Sequence, residues 1–544
     1  MRVGRAVLLL AAAFAFAAVM VAGSAADDDL GILGHKRTVV AEFVNTKGQH
    51  AGGEPSAFDC VASSGGANTN IDCDGPFPNN EPDLEVDPAN PLHMVASSND
   101  YDSCCDQYYT TFNGGSTWST GNMSTEKAGP LGPIGSDPVT VFDVKHNKTL
   151  HASLNFFVSK DGEETCDGDV VVSPSRDGGL TWDPPVVVDK GVGCDLDKTQ
   201  IFNDKEWIVT DDNPDSKFYG RTYITWTAFL AHNGEFVSSA IWESHSDDGG
   251  KHWSKSQEIS GKNRQLCTFQ TEGHDGACDE NQFSVPTVAP DGTVYAAFQN
   301  SQNESLWEDG EVFDNQYLLV KSKDGGEHWS NPTFVVGLED GSNDYPINAD
   351  GRQTLTGYQV RVNSAGNIVA SPKTGTLYLT FDDNRNGIHD VANPSTNIDV
   401  FVMSSTDGGK NWSSPSLVDS GAGDQWFPWV EVNPVAGAIG VAYHDRGASN
   451  GDLYNTALAE GMPGSLVKTT MSTAPSNPVD SIFFQAEIPE CEKCAVFHGD
   501  YINVSYGSDG HANVAWTDMR DFRPEDEALG TDEGFAQSIF FARK

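Results

Sequence analysis

The sequence predicts an all-β chain built from seven repeats of a four-stranded antiparallel sheet, with six as the alternative count. Three observations carry this. A short polar turn recurs five times, each copy following an apolar run. Around every copy the same phrase returns: strand, Gly turn, strand, variable loop, then the strands before and after the turn. Helical periodicity is absent outside the N-terminal stretch, while turn residues are spread throughout.

The clearest turn reads Ser405-Thr406-Asp407-Gly408-Gly409-Lys410-Asn411-Trp412. The pattern Ser-x-Asp-x-Gly-x-x-Trp recurs at Ser322, Asp324, Gly326 and Trp329, at Ser246, Asp248, Gly250 and Trp253, and at Ser175, Asp177, Gly179 and Trp182. A degenerate copy is Thr111, Asn113, Gly115 and Trp118. Apolar runs such as Tyr317-Leu-Leu-Val320 precede it and runs such as Thr333-Phe-Val-Val336 follow, so each copy is a hairpin turn. The Asp carboxylate can accept backbone N–H groups across the turn, the glycines tolerate positive φ, and the Trp lays an apolar lid on a hairpin that is marginal alone.

This pattern is the Asp box, and on it the chain resembles the sialidase-like β-propellers. The resemblance covers roughly residues 38–544 and implies a β-propeller of four-stranded blades; catalytic sialidases have six, the alternative to the seven units counted here. It implies a structural role for the boxes, on the outer turn of each blade and away from the ligand site. Fold does not fix chemistry.

Counting the phrase gives seven units. They begin near Glu81, Ser136, Asn203, Asn281, the stretch before Leu377, Asp424 and Asp500, and the sixth has lost its box. The seventh shows three strands before the chain ends. Residues 38–44 form a strand without a blade, predicted to pair with Gln537–Phe541 and close the ring, which protects sheet edges.

Residues Met1–Ala26 have the basic start, apolar run and small residues of a cleavable secretory signal, followed by a linker over 27–37. No later stretch could span a membrane, so the expected protein is secreted and, after cleavage, free of a span. Ten cysteines in an exported chain point to disulfides: Cys60–Cys73, Cys166–Cys194, Cys267–Cys278 and Cys491–Cys494. Cys104 and Cys105 could bridge each other or pair elsewhere. With 33 Lys+Arg against 78 Asp+Glu, the net charge is −45, which repels nucleic acid and anionic membranes. A monomer is expected.

Blade topology selects the face that carries function. In an up-and-down blade the start of strand one and the end of strand two share one end, the top, and the boxes mark the other. The top positions are polar: Asp382-Asp383-Asn384-Arg385, His444-Asp445-Arg446 and Asp518-Met519-Arg520 after second strands, and His498-Gly499-Asp500-Tyr501 before the last first strand. Arginine offers a planar fork for a carboxylate, and Asp or Glu can do acid/base work. The catalytic candidates are therefore Tyr501, Asp500, Asp445 and Glu431, with Glu206 as a further helper. The substrate-binding candidates are Arg385, Arg446, Arg520, Asp518 and His444. The opposing reading is that Asp–Arg pairs only tie the blades together.

The resemblance implies three arginines on a substrate carboxylate, a Tyr nucleophile helped by Glu, and an Asp acid/base. The chain departs from this: the first-blade Arg-Ile-Pro-like motif is missing, and Arg385, Arg446 and Arg520 all come from the last three blades. What is implied is thus a propeller acting on or binding an extracellular glycan or glycoconjugate, with glycoside hydrolysis of the exo-sialidase type as the enzymatic reading. The alternative is a non-catalytic propeller that binds a protein or carbohydrate. No cofactor is required. One loop has calcium-ligand spacing, Asp382-x-Asn384-x-Asn386-Gly387-x-x-Asp390, though no helices flank it.

Overall fold

The computed structural model describes residues 58–544 apart from 62–67, 73–77, 102–105, 124–132, 159–164, 194–197, 270–273, 308–313, 342, 349–350, 391, 449–450, 489–490 and 526–532. The chain is a seven-bladed, all-β propeller of antiparallel four-stranded blades. The innermost strands are, in order, Asn79–Val86, Pro133–Asp143, Thr199–Thr210, Asn281–Val288, Ile368–Ala370, Gln425–Val432 and Asn503–Tyr506. Gln425 faces Asp445 and Asn281 faces Asn300, so the start of each first strand and the end of each second strand share the top, as the repeat predicts.

The ring closes through the N-terminal side. The last blade runs Asn503–Tyr506, Ala512–Asp518 and Ser538–Arg543, and its outer strand is Thr69–Asn70, set opposite Phe541 and Phe540. Ile71, fully buried with Leu84, Trp118 and Phe541, fixes this clasp in the core. Just upstream, Phe58–Val61 adds a fifth strand to the outer edge of the first blade. The clasp thus bridges the seam from both sides. The expected closing strand, residues 38–44, lies outside the described residues; the edge of Ser538–Arg543 assigned to it is taken by Thr69–Asn70.

All five boxes adopt one geometry. The Ser or Thr hydroxyl accepts the N–H of the second glycine at 2.8–3.1 Å. The Asp or Asn side-chain oxygen accepts the N–H four residues on at 2.9–3.0 Å. The second glycine also lies against the preceding blade: a Cβ on Gly409, at φ +77°, would stand 2.2 Å from Leu319 Cδ2. The spacing of Gly in the box therefore reports two needs at once, a left-handed residue and room for a neighbour. Gly409→Ala is expected to cost about 2–4 kcal/mol through backbone strain and overpacking, read as a lower midpoint in denaturant. The last blade cannot carry a box, because its outer strand comes from the N-terminal side and no turn joins it to Ser538–Arg543.

One predicted disulfide, Cys267–Cys278, is formed and buried. The other predicted pairs involve residues or side chains outside the described ones. Among the described residues no helix is long and apolar enough to cross a membrane.

Over blades five to seven the top face carries a second layer of chain. Segments 338–367, 384–398, 446–454 and 471–483, with the hairpin Phe484–Ile488/Cys491–Val496, supply it. Their own apolar cluster contains Tyr345, Leu355, Tyr358, Ile398, Tyr454 and Val496, packed on Trp426, Phe427 and Met519. This layer decides the fate of most of the predicted site.

Candidate site at the top of the propeller axis

The rim arginines are consumed beneath this cap. Arg446 is buried; it donates to Asp424 at 2.9 Å, to the Thr356 and Gly451 carbonyls at 2.7 Å, and lies 3.6 Å over the Tyr358 ring. Arg385 forks onto Asp383, and Arg520 forks onto Asp518 and lies 4.2 Å over Phe540. The three arginines therefore do not converge: each is turned to its own carboxylate. Asp445 pairs with Lys468 at 2.5 Å. His444 is fully buried, bonded to Thr456 at 3.2 Å and stacked on His498. Glu431 lies along the inner strand, its carboxylate accepting the Val432 N–H at 2.6 Å. Asp500 is buried and held by Arg361 at 2.6 Å and Asn363 at 3.0 Å, two cap residues that sequence reading missed.

Each side chain of the calcium-like loop has a hydrogen-bond partner within the protein. Asp382 accepts the Phe427 N–H, Asn384 accepts the Asn397 N–H, Asn386 donates to Asp399, and Asp390 accepts the Ala392 N–H. Asp382 and Asn384 are buried, whereas Asn386 and Asp390 are exposed.

Of the predicted catalytic set, Tyr501 reaches a different kind of place. The inner strands of five blades break register near the top, between Asn80 and Asp83, Ser136 and Val139, Asp204 and Trp207, Gln282 and Val285, and Trp426 and Trp429. At each break one residue is left-handed: Glu81, Asp137, Lys205, Phe283 and Phe427, with φ of 54–57°. Positive φ outside glycine is uncommon, and such bulges re-aim side chains. Three of these residues precede a proline, Pro82, Pro138 and Pro428, which suits a position that gives up its ladder bond.

The bulges bring ionisable and aromatic groups together at the axis. Lys205 Nζ sits 3.3 Å over the Tyr501 ring, the geometry of a cation–π contact. Trp207 packs on Trp429 at 4.4 Å and edge-on to Tyr501 at 5.4 Å, partners drawn from blades three, six and seven. Phe283, Phe427 and Asp500 complete the wall. The space left between these groups is about 10 Å³, room for one water.

Lys205 Nζ and the Tyr501 hydroxyl at this space, and both carboxylate oxygens of Glu206 next to it in sequence on the side of Asp137 and Asp106, are buried without another side chain to bond. Burial, with the charges of Asp137 and Asp106, pushes the Glu206 carboxyl well above the usual carboxylate range, while Lys205 pulls it back. Burial, then the charges of Glu81, Asp137, Asp83 and Glu206, pushes the Tyr501 phenol well up. A carboxyl raised in this way favours its protonated form, the form a proton donor needs. Lys205 was legible only as part of the polar run Asn203-Asp204-Lys205-Glu206 at the head of an inner strand, without a role, and the Glu81 and Asp137 bulges were not singled out from sequence. The acid–proline pairs Glu81-Pro82 and Asp137-Pro138 at the head of inner strands were the available signal.

The buried ionisable groups also set a pH dependence. Burial holds Asp83 at about 7, so below its unfolded value of about 4 its contribution is fully present, and it is lost as pH rises through 7. Burial lowers His498 to about 3, so its contribution is present above about 6.5 and lost as pH falls toward 3. Above pH 6.5 only the carboxylate effect operates. The melting temperature should therefore fall between pH 6.5 and 8.5, and Asp83→Asn should reduce that fall in part, since Asp212 and Glu280, at about 8, and Asp340 and Glu431, at about 7, titrate in the same window. A melting temperature that rises over this range would contradict the assignment.

The strand topology, with one turn geometry repeated in five blades, makes this chain a seven-bladed β-propeller. No protein-family model and no curated protein matches the sequence. Among solved structures, the chain is similar to a K499G mutant of the NanB sialidase from Streptococcus pneumoniae, at 10% identity, 83% coverage of each chain and TM-score 0.41. It is similar to an α-L-arabinanase from Penicillium chrysogenum complexed with arabinobiose, at 13% identity, covering 72% of this chain and 94% of that one, TM-score 0.42. A polysaccharide lyase of family PL25, an ulvan lyase, gives 9% identity, 85% and 93% coverage and TM-score 0.45. The propeller assignment rests on this chain's own strand pairing rather than on these likenesses.

Proposed function

We propose that the protein is an exported propeller that acts on an extracellular glycan at the top of its axis, with Lys205, Glu206 and Tyr501 as the groups that engage it. One observation carries this reading: the four buried, unpartnered polar atoms of these three side chains. Native structures satisfy such atoms unless a ligand or a reaction does so, and perturbed carboxyls gather where chemistry is done. Aromatic walls around a few convergent polar groups are the usual make-up of a small-ligand site. In a glycoside hydrolysis, neutral Glu206 would protonate the leaving oxygen. Water would add to the sugar carbon as the bond to the leaving oxygen breaks, and its proton would pass to a second carboxylate, Asp500 of the same wall, with Tyr501 and Lys205 holding the sugar.

Because Arg385, Arg446 and Arg520 are each committed to an internal carboxylate, the substrate in this reading is hydroxyl-rich and uncharged rather than a sialoside. A second reading, a non-catalytic glycan-binding propeller, is favoured by one observation, the single-water space between the axial groups. A panel of chromogenic glycosides and a glycan array, run on the purified secreted protein and on Glu206→Gln, tests both. Turnover of a neutral glycoside that Glu206→Gln loses by at least about 100-fold supports the enzyme. Array binding without turnover supports the second reading. Turnover of sialosides alone would overturn the neutral-substrate assignment.

A further inference from the structure

Outside the axial site, one group of side chains in the cap is arranged as a metal centre. Glu339, Asp344 and His389 place a carboxylate oxygen, a carboxylate oxygen and an imidazole nitrogen all within 4.8 Å of one another. They come from two segments that the fold brings together, the connection after the outer strand Thr333–Gly337 and the loop after the second strand Leu377–Asp383.

The hydrogen bonding around His389 selects its chemistry. Its Nε2 lies 2.9 Å from the Asn384 carbonyl oxygen, which can only accept, so Nε2 carries the hydrogen. In the neutral ring, Nδ1 then presents a lone pair, and it faces Asp344 Oδ1 at 2.7 Å and Glu339 Oε2 at 3.9 Å. Three electron-pair donors thus point at one region. A histidine whose far nitrogen donates to a backbone carbonyl is the arrangement that orients metal-ligating imidazoles.

The surroundings hold the donors still. The Gly341 N–H donates to Asp344 Oδ2 at 2.8 Å, and the Asn384 amide donates to the Asp344 carbonyl at 2.5 Å. The surroundings are rich in carboxyl groups that repel one another when ionised: Asp340, Asp382 and Asp383 are buried nearby. A cation would relieve that repulsion. Access is open from one side, since Asp344 is buried while His389 and Glu339 are partly exposed.

We propose that Glu339, Asp344 and His389 bind one divalent transition-metal ion, of the zinc or manganese class, that ties the cap segment after residue 337 to the loop 384–390. One imidazole with two carboxylates suits such ions, whereas calcium prefers an all-oxygen set. This centre is distinct from the calcium-spaced residues Asp382, Asn384, Asn386 and Asp390, although His389 belongs to the same loop.

The test uses the whole secreted protein, stripped with a chelator and returned to Zn²⁺, Mn²⁺ or Ca²⁺. Bound metal is counted by mass spectrometry and affinity is measured by calorimetry. The expected result is one equivalent of Zn²⁺ or Mn²⁺ with a raised melting temperature, since an ion bound only to the native state stabilises it. His389→Gln should weaken binding at least about tenfold and abolish the melting shift; its partly exposed position makes it the safer variant beside Asp344→Asn. Three outcomes would overturn the proposal. They are no stoichiometric metal in the wild type, equal binding by His389→Gln, or a response to Ca²⁺ alone. In the first case His389 is instead protonated and ion-paired with Asp344.

Discussion

Arg446→Ala is expected to lower stability by about 3–5 kcal/mol while leaving ligand binding or turnover per folded molecule unchanged. The side chain is 2% exposed, and its partner Asp424 is fully buried. Removing the guanidinium takes away that ion partner, two backbone-carbonyl bonds and the stacking on Tyr358. Breaking a buried pair from one side is costly because the remaining charge stays out of water. Arg446 also joins the cap to blade six, so the loss should show as early cap opening in hydrogen exchange at Thr356 and Gly451. Chemical denaturation together with a ligand assay on the folded fraction checks both halves.

The second large effect has the opposite sign. Replacing Lys205 and Glu206 together by Met is expected to raise stability by about 1–3 kcal/mol and to abolish function. Neither side chain has another side chain to bond in its buried position, so the cost of burying their polar atoms is only partly offset by the cation–π contact of Lys205 with Tyr501. An apolar group of similar size at position 205 would fill the same space beside Trp207, Phe283 and Tyr501. Natural proteins keep such a cost where activity requires it. If instead the pair is a scaffold element, the double variant should melt earlier and retain its ligand.

The contrast between the two predictions shows what could be read from the residues alone. The boxes spell out their own geometry because every partner lies within a few positions: Ser405 bonds Gly409, and Asp407 bonds Asn411. Blade count and the choice of face follow from that repeat. The rim arginines were legible as rim residues, but their partners were not. Thr356, Tyr358 and Gly451 belong to cap segments with no periodicity, so nothing in sequence announces that they fold back onto Arg446. Tyr501 was legible because it heads an inner strand. Lys205 and Glu206 become a pair with it only through the bulge at φ 54°, which turns Lys205 across the axis. The register break is a backbone event, and proline marks it in the blades of Glu81, Asp137 and Phe427 but not here. The closing strand was expected at residues 38–44. The two-residue pairing of Thr69–Asn70 is too short to carry an alternation signal, and its hold comes from Ile71 in the core.

The most direct test of the axial assignment is a paired measurement on Tyr501→Phe: glycan turnover or binding per folded molecule, and melting temperature, in one buffer. The Tyr501 hydroxyl is buried without a partner, so its removal should leave the melting temperature unchanged or higher. If the hydroxyl holds the sugar at the axis, function should fall by about 100-fold or more. A variant that melts several degrees earlier and works normally would contradict the account, placing Tyr501 in the scaffold and the functional site elsewhere on the propeller.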